Sequence, residues 1–332
     1  MKRFTRCLLL VISILCGIVT SACNAYNTVE TGDTNTDFSV ESEKMVNSSH
    51  EMVVVRFPLL DETNTYDYNE YYNSGLNYPE ANYVIDNSKL NSKQSYSIQG
   101  DFYSANYSST VLYSADLSSD FLNEKKYDIY STDENVEIQV FANSGALKKL
   151  FFYEAGLNNS PNLLNDCSES SLITAAQNVL VDLYGSSITN YLGSYYRYEY
   201  ARLITYQNEE QNRYVVCYRA YINEIPTDDV IYIQFSPAGK LWSVSAQRYT
   251  QYMNVNTDNL IPVNKLQEQI IVFLDKLDYS NISLRQKEPS CYYSMNMYGE
   301  LYYVSEWEAF KAFSDNTGVT RVEVLAIKAN ED

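Results

Sequence analysis

Apolar and polar residues alternate in short runs along most of this chain, and the runs end at turn residues. The clearest case is DDVIYIQFSPAGKLWSVSAQ, residues 228–247, which reads as strand, tight turn and strand. Pro237 suits the second turn position, where φ already has its fixed value, and Gly239 suits the left-handed place after it. A looser copy, ENVEIQVFANSGALKKLFFY at 134–153, turns through Asn143-Ser144-Gly145, with Gly145 in the left-handed position that a three-residue hairpin loop often demands. Strands are also predicted at 127–130, 198–206, 213–222, 281–284, 291–298 and 321–327. Residues 95–114 are strand-like in content, though their alternation is broken.

The period changes to that of a helix at SESSLITAAQNVLVDLYG, residues 168–185. Leu172, Ala176, Val179, Leu180 and Leu183 fall on one face, Ser168 or Ser170 can cap the start, and Gly185 ends the run. A second helix is predicted from Val263, Leu266, Ile270, Phe273, Leu274 and Leu277. Asn264 and Gln267 form its expected capping box, behind Pro262. Ser305 and Glu308 offer another capping box, for a short helix carrying Trp307, Phe310 and Phe313 and closed by Gly318. Helix followed by antiparallel strands thus recurs. It predicts an α+β fold of tandem helix-plus-antiparallel-sheet modules, organised as 51–157 (mainly β), 168–250 and 260–330 (both α+β).

The middle module resembles the PepSY-like fold of secreted bacterial proteins and protease propeptides. The resemblance rests on Asn223-Glu224-Ile225-Pro226, then Val230-Ile231-Tyr232-Ile233-Gln234-Phe235, then Gly239-Lys240-Leu241. It covers about residues 168–246 and extends loosely to the other two modules. Tandem units of this kind also resemble extracellular regulators of cell-wall-sensing histidine kinases, which implies action through protein contacts. The resemblance supplies no catalytic residue.

The start of the chain adds an address. Lys2, Arg3 and Arg6 precede an apolar run from Leu8 to about Val19, and Thr20-Ser21-Ala22-Cys23 follows. This resembles the processing site of bacterial lipoproteins, in which cleavage exposes a cysteine that receives lipid. Residues 1–22 are therefore read as a signal peptide, Cys23 as the lipid anchor, and 23–50, rich in small polar and acidic residues, as a flexible tether. The expected location is the outer face of the bacterial cytoplasmic membrane; ordinary cleavage and secretion is the other reading. The chain has 24 Lys or Arg against 42 Asp or Glu, a formal charge of −18. No basic run interrupts this acidity, so nucleic acid is excluded as a partner.

Few residues offer chemistry. The one histidine, His50, stands where the tether meets the first module. No zinc pattern, phosphate loop or EF-hand occurs, so no cofactor or metal is expected. Cys167, Cys217 and Cys291 match no disulfide framework; they read as small buried hydrophobes, with one bridge between two of them as the alternative. The acid pairs Asp61-Glu62, Glu209-Glu210 and Asp228-Asp229 could serve a hydrolase, but acids beside turns are common for solvation alone.

Tyrosine is the compositional outlier, at 33 residues. Tyr66, Tyr68, Tyr71, Tyr72 and Tyr78 lie among acids and polar residues in 65–80, a blend suited to recognising proteins or glycans. Tyr191, Tyr195, Tyr196, Tyr198 and Tyr200 form a second group, the last two within a predicted strand. The reading that results is a noncatalytic binding or regulatory lipoprotein. Its expected partner is an envelope protein such as a sensor kinase or protease, or alternatively a cell-wall carbohydrate.

Overall fold

The two similar hairpins are neighbours in a single sheet. In the computed structural model, β7 (Val136–Phe141) and β8 (Leu147–Phe152) form the first, and β11 (Ile225–Phe235) and β12 (Leu241–Ala246) the second. Gly145 and Gly239 take φ of 68° and 80°, as their turns require. β12 then pairs antiparallel with β8, placing Ser243, Val244 and Ser245 opposite Phe151, Leu150 and Lys149. Residues 42–47, 50–57, 81–113, 126–132, 135–206, 208–247, 249–276, 282–295, 299–312 and 318–330 are described. The chain divides into two units. One, Met1–Phe38 with Ala312–Gly318, lies almost wholly outside the described residues; the other holds the core of the fold.

The remaining strands of the long sheet are β3 (Ala81–Val84), β4 (Lys93–Ile98), β5 (Asp101–Tyr113), β6 (Tyr127–Ser131), β9 (Tyr196–Ile204) and β10 (Arg213–Ile222). Their order is β9-β10-β11-β12-β8-β7-β6-β5, with β3 and β4 both pairing β5. A second run, β1 (Ser42–Asn47), β2 (His50–Phe57), β15 (Gly318–Lys328), β14 (Leu301–Ala312) and β13 (Ile282–Met295), joins it where β11 pairs β13 in parallel at Thr227↔Tyr293. The described strands thus form one mixed fifteen-stranded sheet. This corrects the expected α+β tandem of helix-plus-sheet modules: the chain is mostly strand, and pairing runs on across the predicted sheets. The repeated pattern marks adjacent hairpins, because strand pairing is not limited to near neighbours in sequence.

Helix α1 is one turn, Glu154–Leu157, while α2 spans Glu169–Tyr184. Ser168 caps α2 by accepting from Ser171 N, and Gly185 ends it at φ 79°. Its buried face, Leu172, Ala175, Ala176, Val179, Leu180 and Leu183, packs with Ile138, Leu150, Phe152, Val216, Ile231 and Val244 into the main core. Each such side chain contributes about 1.5–3 kcal/mol when fully buried. Residues from 98 to 246 share this core. α3 (Val263–Lys276) buries Leu266 and Ile270 against Tyr293, Met295, Leu301, Tyr303, Leu325 and Ile327, which form a second core.

Two helix signals are overruled. Pro262 O accepts from Lys265 N (2.9 Å) and Leu266 N (3.3 Å), so Asn264 lies inside the first turn of α3 and caps nothing. Gln267 Nε2 donates to Tyr303 Oη (3.1 Å). The helix expected after Ser305 is instead part of β14, with residues 301–305 buried and β13 alongside. A capping box contributes about 1 kcal/mol, which a twelve-residue strand between two partners outweighs. The two strands predicted at 281–284 and 291–298 are a single strand, β13, with a register shift between Gln286 and Cys291. Pro289 falls within that irregularity, a place where a strand tolerates a missing N–H.

Candidate functional site

The most elaborate side-chain arrangement lies where β11 divides its partners. Its first residues run beside β13 and its later ones beside β12, with β10 on the other flank. The hairpin entering β11 turns through Asn223 and Glu224, both left-handed at φ 46° and 68°. A two-residue hairpin of type I′ needs that geometry at both positions. Arg197 clamps the strained tip, with Nη1 and Nη2 donating to Glu224 at 2.5 and 2.7 Å.

Asp228 and Asp229 sit at the fork. Asp229 is 0 % exposed. Its Oδ2 accepts from Tyr196 Oη (2.9 Å) and Tyr195 Oη (3.1 Å). Those phenol oxygens in turn accept from the backbone: Tyr196 Oη from Thr250 N (3.0 Å), Tyr195 Oη from Tyr252 N (3.1 Å). Asp228 accepts from Tyr252 Oη and from Ser294 Oγ (2.8 Å), while Tyr252 Oη accepts from Met295 N (3.0 Å). Fully buried Thr227 completes the arrangement, donating to Ala220 O (3.0 Å) and accepting from Asp229 N (3.1 Å). Tyr184 stacks on Tyr249 at 4.6 Å, and Tyr195 meets Tyr196 edge-on at 4.7 Å.

Burial, and then the Asp229 charge, push the Tyr195 and Tyr196 phenols well above their ordinary range. Burial pushes Tyr249 up to about 12. These phenols therefore stay protonated at neutral pH, and Tyr195 and Tyr196 act as fixed donors to Asp229, the state a carboxylate needs around it when it leaves water. Asp228 is half-buried and Asp229 is sealed, so the pair does not line an open cleft.

The sheet face away from α2 carries cations laid over rings. Arg202 lies 4.3 Å from the Tyr200 ring, Arg197 4.6 Å from Tyr221, Lys149 4.8 Å from Phe151 and Lys148 4.9 Å from Tyr127. Acids are interleaved: Lys149 pairs Glu137 at 3.2 Å and Arg219 pairs Glu199 at 2.6 Å. These cations are dispersed in sequence and gather only through strand register. Burial, then Glu199, push the Cys217 thiol up to about 12, leaving it unreactive. Among the described residues, Cys167, Cys217 and Cys291 form no disulfide with one another.

The far edge of the long sheet is apolar and open to water. Tyr83 is 45 % exposed, Ile85 65 % and Leu90 52 %. Rigid supports hold this rim. Asp86 N donates to Tyr107 Oη (2.9 Å), Asp86 accepts from Ser88 N (2.9 Å), and Lys89 Nζ reaches both Asp128 oxygens at 2.9 and 2.7 Å. Among the described strands, β3 pairs only with β5.

Cys23 and the segment bearing Tyr66, Tyr68, Tyr71, Tyr72 and Tyr78 lie outside the described residues, as do Asp61 and Glu62. His50 begins β2, opposite Asn47. Glu209 is exposed in a single 3-10 turn, Glu209–Gln211. Of the second tyrosine group, the structure brings Tyr195 and Tyr196 together at the fork. Tyr191 packs on the main core, Tyr198 donates to Glu169 of α2, and Tyr200 lies beneath Arg202. Sequence reasoning missed the union of Asp228, Asp229, Tyr195, Tyr196 and Tyr252. The doublets Asp228-Asp229 and Tyr195-Tyr196 were its only visible trace. Among the described residues no cluster of three or more His, Cys, Asp or Glu could hold a metal, and no helix is long and apolar enough to cross a membrane. No protein-family model, curated protein or solved structure matches the chain.

Proposed function

We propose that this protein is a noncatalytic binding or regulatory lipoprotein, held at the cell surface through Cys23, that works by contacting an envelope protein such as a sensor kinase or protease. The observation that carries this reading is the supported apolar rim at one edge of the long sheet, with Tyr83 and Val84 on edge strand β3 and Ile85 and Leu90 in the segment that follows it. Exposed apolar side chains beside an edge suit strand addition or docking by another protein. The tyrosine-rich stretch 65–80 runs directly into this strand in sequence. A glycan groove would instead present several exposed rings together. Tyr83 and Tyr206 are the exposed tyrosines among the described residues, and they belong to different parts of the chain.

The test is photocrosslinking in intact cells from a reactive residue placed at position 85. A discrete envelope protein, lost when Tyr83→Asp and Leu90→Asp are added, is the expected product. Recovery of polysaccharide alone would overturn the reading in favour of cell-wall carbohydrate binding. The anchor is tested separately by metabolic labelling with a clickable fatty acid: Cys23→Ala should abolish label and release the protein into the medium.

A further inference from the structure

We infer that the acid–tyrosine network at the β11 fork is a clasp that makes the two cores of the molecule behave as one cooperative body. Among the described residues, the strand pairing between the long sheet and the second run is one parallel register, Thr227↔Tyr293. A ladder with so little shared length would yield readily by itself. What spans the same place is a set of side-chain bonds from four elements. Tyr195 and Tyr196 come from the start of β9, Asp228 and Asp229 from β11, Thr250 and Tyr252 from the turn after β12, and Ser294 and Met295 from β13.

Tyr252 is the hinge pin. Its hydroxyl joins Asp228 to Met295 N of the second core, and its own N–H is bound by Tyr195, whose hydroxyl holds Asp229. The Tyr195 ring packs against both cores, and Ile222 at the tip of β10 is buried in the second. Buried carboxylates do not tolerate losing donors, because an ion without its hydrogen bonds retains the full cost of leaving water. Each donor lost therefore weakens what the others hold, which is how a network of side-chain hydrogen bonds is worth more than its separate members. A load or contact on either core is passed to the other while the set is intact.

The chain carries its own reporters. It has two tryptophans: Trp242 on β12 and Trp307 on β14. In Trp307→Phe and Trp242→Phe backgrounds, fluorescence during urea unfolding follows the long sheet through Trp242 or the second core through Trp307, one at a time. Coincident midpoints are expected for the otherwise unaltered chain. Adding Tyr195→Phe and Tyr252→Phe should lower the Trp307 midpoint relative to that of Trp242 by about 1 M urea, given typical urea slopes. If that chain does not fold, Ser294→Ala alone should open a smaller gap in the same direction. Midpoints that stay together in these variants, or that already differ in the parent, would overturn the inference.

Discussion

The two cores are built from the same materials by different wiring. In the long sheet, β4 to β8 and β9 to β12 are hairpins in chain order, and one long-range seam, β8 to β12, joins the two groups. In the second run, β15 pairs β2, bringing Val322 to Phe57 and Ile327 to Met52. The first arrangement closes short loops; the second joins segments from opposite ends of the chain before any reward arrives. The contrast teaches that similar amphipathic patterns lead to very different dependence on distant partners. The second core relies on the clasp and on strands from opposite ends of the chain, while the first is joined mostly through local turns.

The comparison can be broken most forcefully in the main core. Leu180 of α2 is fully buried, and Leu180→Ala should cost about 2–5 kcal/mol, read from urea midpoints. Because the clasp is intact, both tryptophans should report the same loss. Leu266→Ala in α3 is the matching change in the second core. A loss confined to Trp307 would show that the cores are less tightly joined than the network indicates.

Gly156 gives a smaller, more local effect. A Cβ there would stand 2.1 Å from Asn135 O, so backbone would have to move. Gly156→Ala should destabilise by about 1–3 kcal/mol, and with the clasp intact the Trp242 and Trp307 midpoints should fall together.

Glu137 adds a pH test on the outer face. Burial pushes its carboxyl up, but the Lys149 charge and hydrogen bonds from Tyr153, Gln139 and Lys149 outweigh it and hold the group below its ordinary value. A carboxylate depressed by folding contributes stability above its unfolded pKa and loses it as pH falls through the folded one. Lys149→Met should therefore lower stability at neutral pH and move the acid limb of the stability curve to higher pH. A pH profile identical to the parent's would rule out the Glu137–Lys149 pair as a contributor.

The smallest expected change is a gain. Glu224 holds φ 68° at an exposed tip, where left-handed geometry disfavours a side chain and an exposed ion pair returns little. Glu224→Gly makes the favoured Asn-Gly turn and should raise both tryptophan midpoints slightly.

Legibility in the sequence followed distance. The hairpins at 136–152 and 230–246 and the helix at 169–184 could be read because turn glycines and periodic apolar residues act within a few positions of each other. The part of β14 after Ser305 reads as a short helix because Ser305 and Glu308 make a plausible local cap, while the pairing that overrides it comes from β13 and β15. The fork was hidden for the same reason: Tyr196 and Asp229 are 33 positions apart, and Tyr195 and Tyr252 are 57 apart.

By itself, then, the sequence determined where strands turn, where α2 begins and stops, and the strongly acidic character of the chain, since these depend on torsional preference, side-chain spacing and composition. Only tertiary structure decided that the two hairpins lie side by side, that cations from separate strands gather over rings on one face, and that two aspartates meet three tyrosines at a fork. Strand pairing can join any two segments whose edges are free, and a buried carboxylate takes whichever donors the folded chain brings within reach.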